Sequence, residues 1–325
     1  MNTPFEHRLL SVTKWLALIV LGLASESLAA EPDLISSGAG RFFKFRFVNR
    51  LNQTVDAYWL DYKGKPRKET SIGKGKGWNK TARTSHVFVF KTRDGSFSRV
   101  VRPRKGGGEM WITRHEERNM RGWRVHVNLD MEKADPAKMS AALRIIDQQL
   151  ESVVKAVPKT AVAKLRSIPI WINPTPRARG PRAEYHRNPS WLKSNRRNPG
   201  MALAVEITML DIIAQETKRM PFWMLHELTH GYQDQNRTAF DRKLKEAFDR
   251  ARRSGKYNRV KRYTGQNYVY DRSYAMSDPS EYFAESTEAF FGRNDFYPFN
   301  HSELKQHDPE MFRLVADLWG VPVGK

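Results

Sequence analysis

Between Arg41 and about Thr113, apolar residues recur at every second position. Phe43-Lys-Phe-Arg-Phe-Val48 alternates apolar and basic side chains, the signature of a strand buried on one face. Thr54 to Leu60 and Ser85 to Phe90 repeat the pattern. Turn signals part them at Lys63-Gly-Lys-Pro66, Gly73-Lys-Gly-Lys-Gly77 and Asp94-Gly95. This spacing predicts a small antiparallel β-sandwich over 41–113. Lys105-Gly-Gly-Gly108 reads as a loop, and the polar stretch 114–122 as a join between two domains. From Trp123 the period changes. Val125 to Asn128 opens a strand. Met139, Leu143, Ile146, Leu150, Val153 and Val154 then follow the helical repeat over 136–157. Ile168 to Ile172 and Ala202 to Thr208 read as strands, and the Pro-, Arg- and Asn-rich stretch between them as a long surface loop. Further helices are expected at about 222–236, 241–253 and 279–291. The fold class is α+β: a small antiparallel sandwich, then an α+β domain over 123–325.

Residues 1–30 stand apart from this pattern. A basic residue, Lys14, precedes the apolar run Trp15 to Ala24, and small residues follow at Ser27, Ala29 and Ala30. That order is the pattern of a cleaved secretory signal, with 31–40 as a linker behind it. An uncleaved anchor is the rival reading, but the run falls short of the ~20 residues of a membrane span. A secreted or periplasmic location follows. The chain has no cysteine, so disulfides, thiolate metal ligands and thiol nucleophiles are excluded. The net charge is +21. Residues 41–125 carry 22 Lys and Arg against 7 Asp and Glu, so the excess sits mainly in the first domain. Such a field favours an anionic cell-wall or matrix polymer as partner, although a solvated basic face is the plainer reading. Export argues against nucleic acid.

The candidate chemistry begins at His226-Glu227-Leu228-Thr229-His230. On a helix, residues four apart share a face, so His226 and His230 can chelate one Zn2+ through imidazole nitrogens. Glu227 can then act as general base toward a water activated by that metal. The apolar flanks Phe222 to Leu225 and Leu228 predict a largely buried helix, in which two imidazoles and a carboxylate need partners. A catalytic site needs a third protein ligand and an open position. Gln233 stands where an extended His-x-x-Gly-x-x-His motif would place glycine, so the ligand comes from elsewhere. Glu281, Glu285 and Glu288 share one face of the 279–291 helix. Glu281 has a competing role: with Asp278 as N-cap and Pro279 at the first position, it would complete a capping box. Spacing alone does not choose between the two roles.

Ser273-Tyr274-Ala275-Met276 followed by Glu281-Tyr-Phe-Ala-Glu285 resembles the peptidase domain of the anthrax lethal factor-like zinc metallopeptidases, and more closely a group of bacterial secreted proteins related to it. The likeness extends through Glu288-Ala-Phe-Phe-Gly292, Asn294 to Phe299, Glu303 to Glu310 and, upstream, Ala183-Glu-Tyr-His186, covering about 123–325. It implies a zincin-like fold, a peptide substrate and one Zn2+. It implies Glu281 as third zinc ligand, Tyr274 as the group that stabilises the oxyanion or assists the leaving group, and Glu285 as a carboxylate orienting a ligand. Tyr268 and Tyr270 compete with Tyr274 only as core or surface residues. Zincins align substrate along an edge strand, for which Ala202 to Thr208 is the candidate. In the first domain, Phe47-Val-Asn49, Tyr58 to Tyr62, Gly64, Pro66 and Ser85-His86 resemble the β domain of the von Hippel-Lindau tumour suppressor. Trp59 and His86 match the hydroxyproline pocket of that domain, whereas Glu69, Ala82 and Phe88 depart from it. The likeness therefore implies the sandwich and not the ligand. Two other functions fit the motifs: a zinc hydrolase acting on another amide, and a non-catalytic binding protein with a structural metal.

Overall fold

The computed structural model describes residues 35–176 and 179–322. The signal segment expected at 1–30 lies outside them, as does the start of the 31–40 linker. Among the described residues no helix is long and apolar enough to cross a membrane.

The chain folds as a mixed α+β protein with several small sheets. Seven strands come first: β1 (Phe42–Asn49), β2 (Val55–Leu60), β3 (Pro66–Ile72), β4 (Gly77–Arg83), β5 (Val87–Thr92), β6 (Ser98–Val101) and β7 (Gly108–Ile112). They form a sheet ordered β4-β1-β7 and another ordered β3-β2-β5-β6. Alternation in β1 works as expected: Phe45 and Phe47 are buried while Lys44 and Arg46 face water. Phe47 meets Phe88 and Phe90 of the other sheet at ring-centroid distances of 5.4 and 5.2 Å. The sandwich is not wholly antiparallel. β7 runs parallel to β1, from Phe45 opposite Gly108 to Asn49 opposite Ile112, because the chain crosses back from β6 in the other sheet before entering it. From Ile35 on, the linker docks on this unit: Ser36 Oγ accepts from Val87 N at 2.9 Å and Ser85 Oγ donates to Ser37 O at 2.8 Å.

The expected polar join at 114–122 is a strand, β8 (His115–Met120), which returns through Arg121 and Gly122 into β9 (Trp123–Asn128). Both turn residues have positive φ, 52° and 90°, matching the twist of a two-residue hairpin. Helices α1 (Leu129–Ala134), α2 (Pro136–Ala156) and α3 (Lys159–Leu165) lead to β10 (Ile170–Ile172). The stretch expected as a long loop then holds β11 (Ala183–His186), α4 (Pro189–Ser194) and a 3-10 turn at Pro199–Met201, before β12 (Ala204–Ile207). The five strands order as β11-β12-β10-β9-β8. β9, β10 and β12 run parallel and the two edges antiparallel. This corrects the edge-strand assignment. The 202–208 strand is interior, and β11 is the edge beside it.

One sheet face, with Val125, Val127, Ile170, Ile172, Val205 and Ile207, builds the main core with the helices. The helices on that side are α2, α3, α5 (Ile213–Arg219), α6 (Trp223–Gln235), α7 (Arg237–Ser254), α8 (Pro279–Phe291), α9 (His301–His307) and α10 (Pro309–Trp319). A hairpin of β13 (Val260–Tyr263) and β14 (Tyr268–Asp271) precedes α8. The opposite sheet face carries His126, Trp171 and Glu206 and turns toward the sandwich. There Trp111 N donates to Asn198 Oδ1 at 3.0 Å and Lys193 pairs with Glu109 at 2.9 Å.

Candidate metal centre

Helix α6 is held by its apolar face: Met224, Leu225 and Leu228 are fully buried. Gly231 lets it lie close to the sheet, since a Cβ there would meet Ile168 Cδ1 at 2.4 Å. This fixes His226 and His230 on the side turned toward α8. Asp278 caps α8 by accepting from Ser280 N at 2.7 Å and Glu281 N at 3.0 Å. Glu281 thus serves the cap with its backbone, and its carboxylate is free for the imidazoles. Glu281 Oε2 lies 3.0 Å from His226 Nε2 and 3.5 Å from His230 Nε2. The donor atoms of these three residues all fall within 4.8 Å of one another, close enough to hold one metal ion.

Behind His226, two carboxylates from the next turns of α8 are buried. Glu288 Oε1 is 2.8 Å from His226 Nδ1, whereas Glu285 Oε1 is 4.0 Å away. Glu285 instead accepts from Asn294 Nδ2 at 2.9 Å. The orienting contact expected of Glu285 therefore falls to Glu288. The signal was present in the helical repeat, since Glu288 shares the face of Glu281, but spacing does not show which carboxyl reaches the ring.

The electrostatics suit a cation. Burial works against charge on His226, but its hydrogen bonds to Glu281 and Glu288 outweigh that and raise its pKa well above the usual imidazole range. Burial likewise pushes Glu281 up, and the two imidazoles overcome it and hold the carboxyl well below the usual range. Burial raises Glu285 and Glu288 above the ordinary carboxylate range. Two nitrogens and an anionic oxygen, with positive charge favoured between carboxylates, are a donor set able to hold a divalent metal ion.

The cluster opens on a cleft of about 670 Å3, lined also by Glu227, Tyr274, Tyr185 and several arginines. Glu227 accepts from Tyr185 N of β11 at 2.7 Å. Tyr274 sits in a short 3-10 turn and donates to Glu281 Oε1 at 3.3 Å. Burial and the nearby Glu281 charge push its phenol up to about 12, so it remains a hydrogen-bond donor at neutral pH. Tyr268 and Tyr270 lie on exposed β14, where Tyr268 accepts from Arg293 at 3.0 Å and Tyr270 lies under Arg259. No protein-family model matches the chain, and no curated protein matches it either. The chemistry therefore has to be read from the site. Tyr185 was not singled out by the sequence, because its role is a backbone contact from a strand hidden in a loop-like stretch. In the sandwich, His86 is buried against Trp59, with ring centroids 5.5 Å apart, and neither ring nitrogen of His86 has a hydrogen-bond partner.

Proposed function

We propose that the protein is a zinc-dependent metallopeptidase of the zincin type, with His226, His230 and Glu281 as metal ligands. The observation that carries this reading is the Glu281 carboxylate seated between two imidazoles, on the wall of a cleft that also presents Glu227 and Tyr274. Zinc, when bound, supplies a Lewis acid that acidifies water and polarises a carbonyl.

The rest is the work of this chain's own residues. Glu227 takes a proton from the attacking water and returns it to the leaving amine. Its contact with Tyr185 N holds the carboxylate against the edge of β11. Tyr274 donates a hydrogen bond to the developing oxyanion. Among the described residues β11 pairs on one side only, with β12, so its other edge can take an extended peptide by strand addition beside the Tyr185 N that Glu227 holds. Glu288 and the cap at Asp278 keep His226 and Glu281 in position.

The resemblance to lethal factor-like peptidases supports a peptide substrate over another amide. The presence of Glu227 and Tyr274 weighs against a purely structural metal, which needs neither. Export rests on the pattern at 1–30, and an anionic polymer as partner of the first domain on its basic charge.

The test is hydrolysis of a broad peptide library by the zinc-loaded chain and by Glu227→Gln. The reading expects cleavage by the wild type and a loss of about 100- to 10,000-fold in the variant with zinc retained. Equal inertness of both, with zinc bound, would remove the enzyme reading.

A further inference from the structure

On the sheet face turned away from the metal centre, a second cavity of about 390 Å3 lies between the sandwich and the five-stranded sheet. β6, the loop after it, β8, β9 and β10 contribute its walls. Arg99, Arg102, Arg104, Lys105 and Arg124 line it together with His126, and Glu117 is the single carboxylate among the lining residues. Glu117 is already engaged by Arg102 at 2.8 Å.

A basic cluster is ordinarily a solvated face, but two of these groups are withdrawn from water. Arg99 is 6% exposed and His126 7%. Arg99 donates from one terminal nitrogen to Thr113 Oγ1 at 3.0 Å and stacks over Trp171 at 4.9 Å. Its Nε has no hydrogen-bond partner, and among the described residues no carboxylate lies within ion-pair distance. His126 packs on the same Trp171, with centroids 4.1 Å apart; its Nε2 lies 3.9 Å from Glu117 Oε2, and its Nδ1 is without a partner. Arg104 Nε is a third buried donor in the same state. Buried guanidinium groups are normally paired, and unpartnered nitrogens on three side chains that line one cavity point to an acceptor that carries negative charge.

We propose that this cavity binds a small ligand bearing phosphate groups, whose oxyanion accepts from Arg99 and His126 while further charge faces Arg104, Lys105 and Arg124. A tetrahedral oxyanion suits the forked donors of arginine. The number of cations suits more than one phosphate group, and the volume is that of a small-molecule pocket rather than a polymer groove. Because both units supply walls, the ligand also ties the sandwich to the sheet. This inference is independent of the zinc reading.

The experiment is thermal unfolding of the full zinc-loaded chain titrated with inorganic tripolyphosphate, with inorganic phosphate and heparin as comparison probes. Zinc is kept saturating, and any chelation acts equally on wild type and variants. Tripolyphosphate is expected to raise the wild-type Tm in a saturable way and inorganic phosphate to do so more weakly. Arg99→Met keeps the buried stem but loses the bonds to Thr113, and measured against its own ligand-free Tm it should show no tripolyphosphate shift. Arg124→Gln, at a half-buried position, should weaken tripolyphosphate binding about tenfold by calorimetry, which keeps the test intact if Arg99→Met fails to fold. Absence of saturable binding, or equal Tm shifts in wild type and both variants, overturns the proposal. So does a response to heparin alone that persists in both variants, which would place anion recognition on the outer basic face.

Discussion

Glu288 offers a sharp test of how the metal set is oriented. Its carboxylate is fully buried and 2.8 Å from His226 Nδ1. Glu288→Gln keeps the shape and one acceptor oxygen but removes the negative charge that raises the basicity of the imidazole. Removing a carboxylate behind a ligating histidine typically costs about 10- to 100-fold in metal affinity, equivalent to about 1.4–2.7 kcal/mol. Glu285→Gln should cost much less. Its nearest oxygen is 4.0 Å from Nδ1, beyond hydrogen-bond reach, and its other oxygen is held by Asn294. Competition for zinc against a chromophoric chelator at pH 7 measures both variants, with circular dichroism to establish that each is folded. Equal losses in the two variants, or a larger loss in Glu285→Gln, would refute the assignment of the orienting contact to Glu288.

Three further outcomes are expected. Tyr274→Phe removes a half-exposed hydroxyl 3.3 Å from Glu281 Oε1, so zinc content should be unchanged while kcat on a cleaved peptide falls about 100- to 1,000-fold; an unchanged kcat would remove the oxyanion role. Gly231→Ala places a methyl 2.4 Å from Ile168 Cδ1 and should lower unfolding free energy in urea by about 1–3 kcal/mol, whereas a neutral result would show that α6 can lift off the sheet at no cost. Burial, with Arg99 nearby, pushes the His115 imidazole down to about 3, so between there and ~6.5 the unfolded chain binds a proton that the folded chain does not. Stability from this group is full above pH 6.5 and is lost as the pH falls, by up to about 2 kcal/mol at pH 5. His115→Asn should reduce the fall in urea stability from pH 7 to pH 5, and an identical fall in both proteins would contradict this.

The parts of the fold legible in the sequence are those whose burial is one-sided. Phe43 to Val48 alternates because one face of β1 meets the opposite sheet. Met139 to Val153 repeats every three to four residues because one face of α2 lies on the core. The strands that escaped notice are polar for physical reasons. β8 is an edge strand, and its Arg118 is tied by ion pairs to Glu116 and Glu132 rather than by apolar contacts. β3 is exposed along most of its length and is held by backbone pairing to β2. β11 is four residues long and sits among prolines and arginines. The site was legible where it is local, in the four-residue spacing of His226 and His230. The choice between cap and ligand for Glu281 was not, because both roles use the same sequence position. Three-dimensional packing separates them, giving Asp278 the cap and the Glu281 side chain the imidazoles. The choice between Glu285 and Glu288 turned on which carboxyl reaches the far side of one ring.

His226, His230 and Glu281 are proposed to form one zinc site. Native mass spectrometry of the zinc-reconstituted chain, comparing wild type with Glu281→Ala, tests it most directly. One zinc per wild-type chain is expected, and its loss from the variant at equal free zinc. A variant that retains its zinc with undiminished affinity, or a wild-type chain that takes up none, would contradict it.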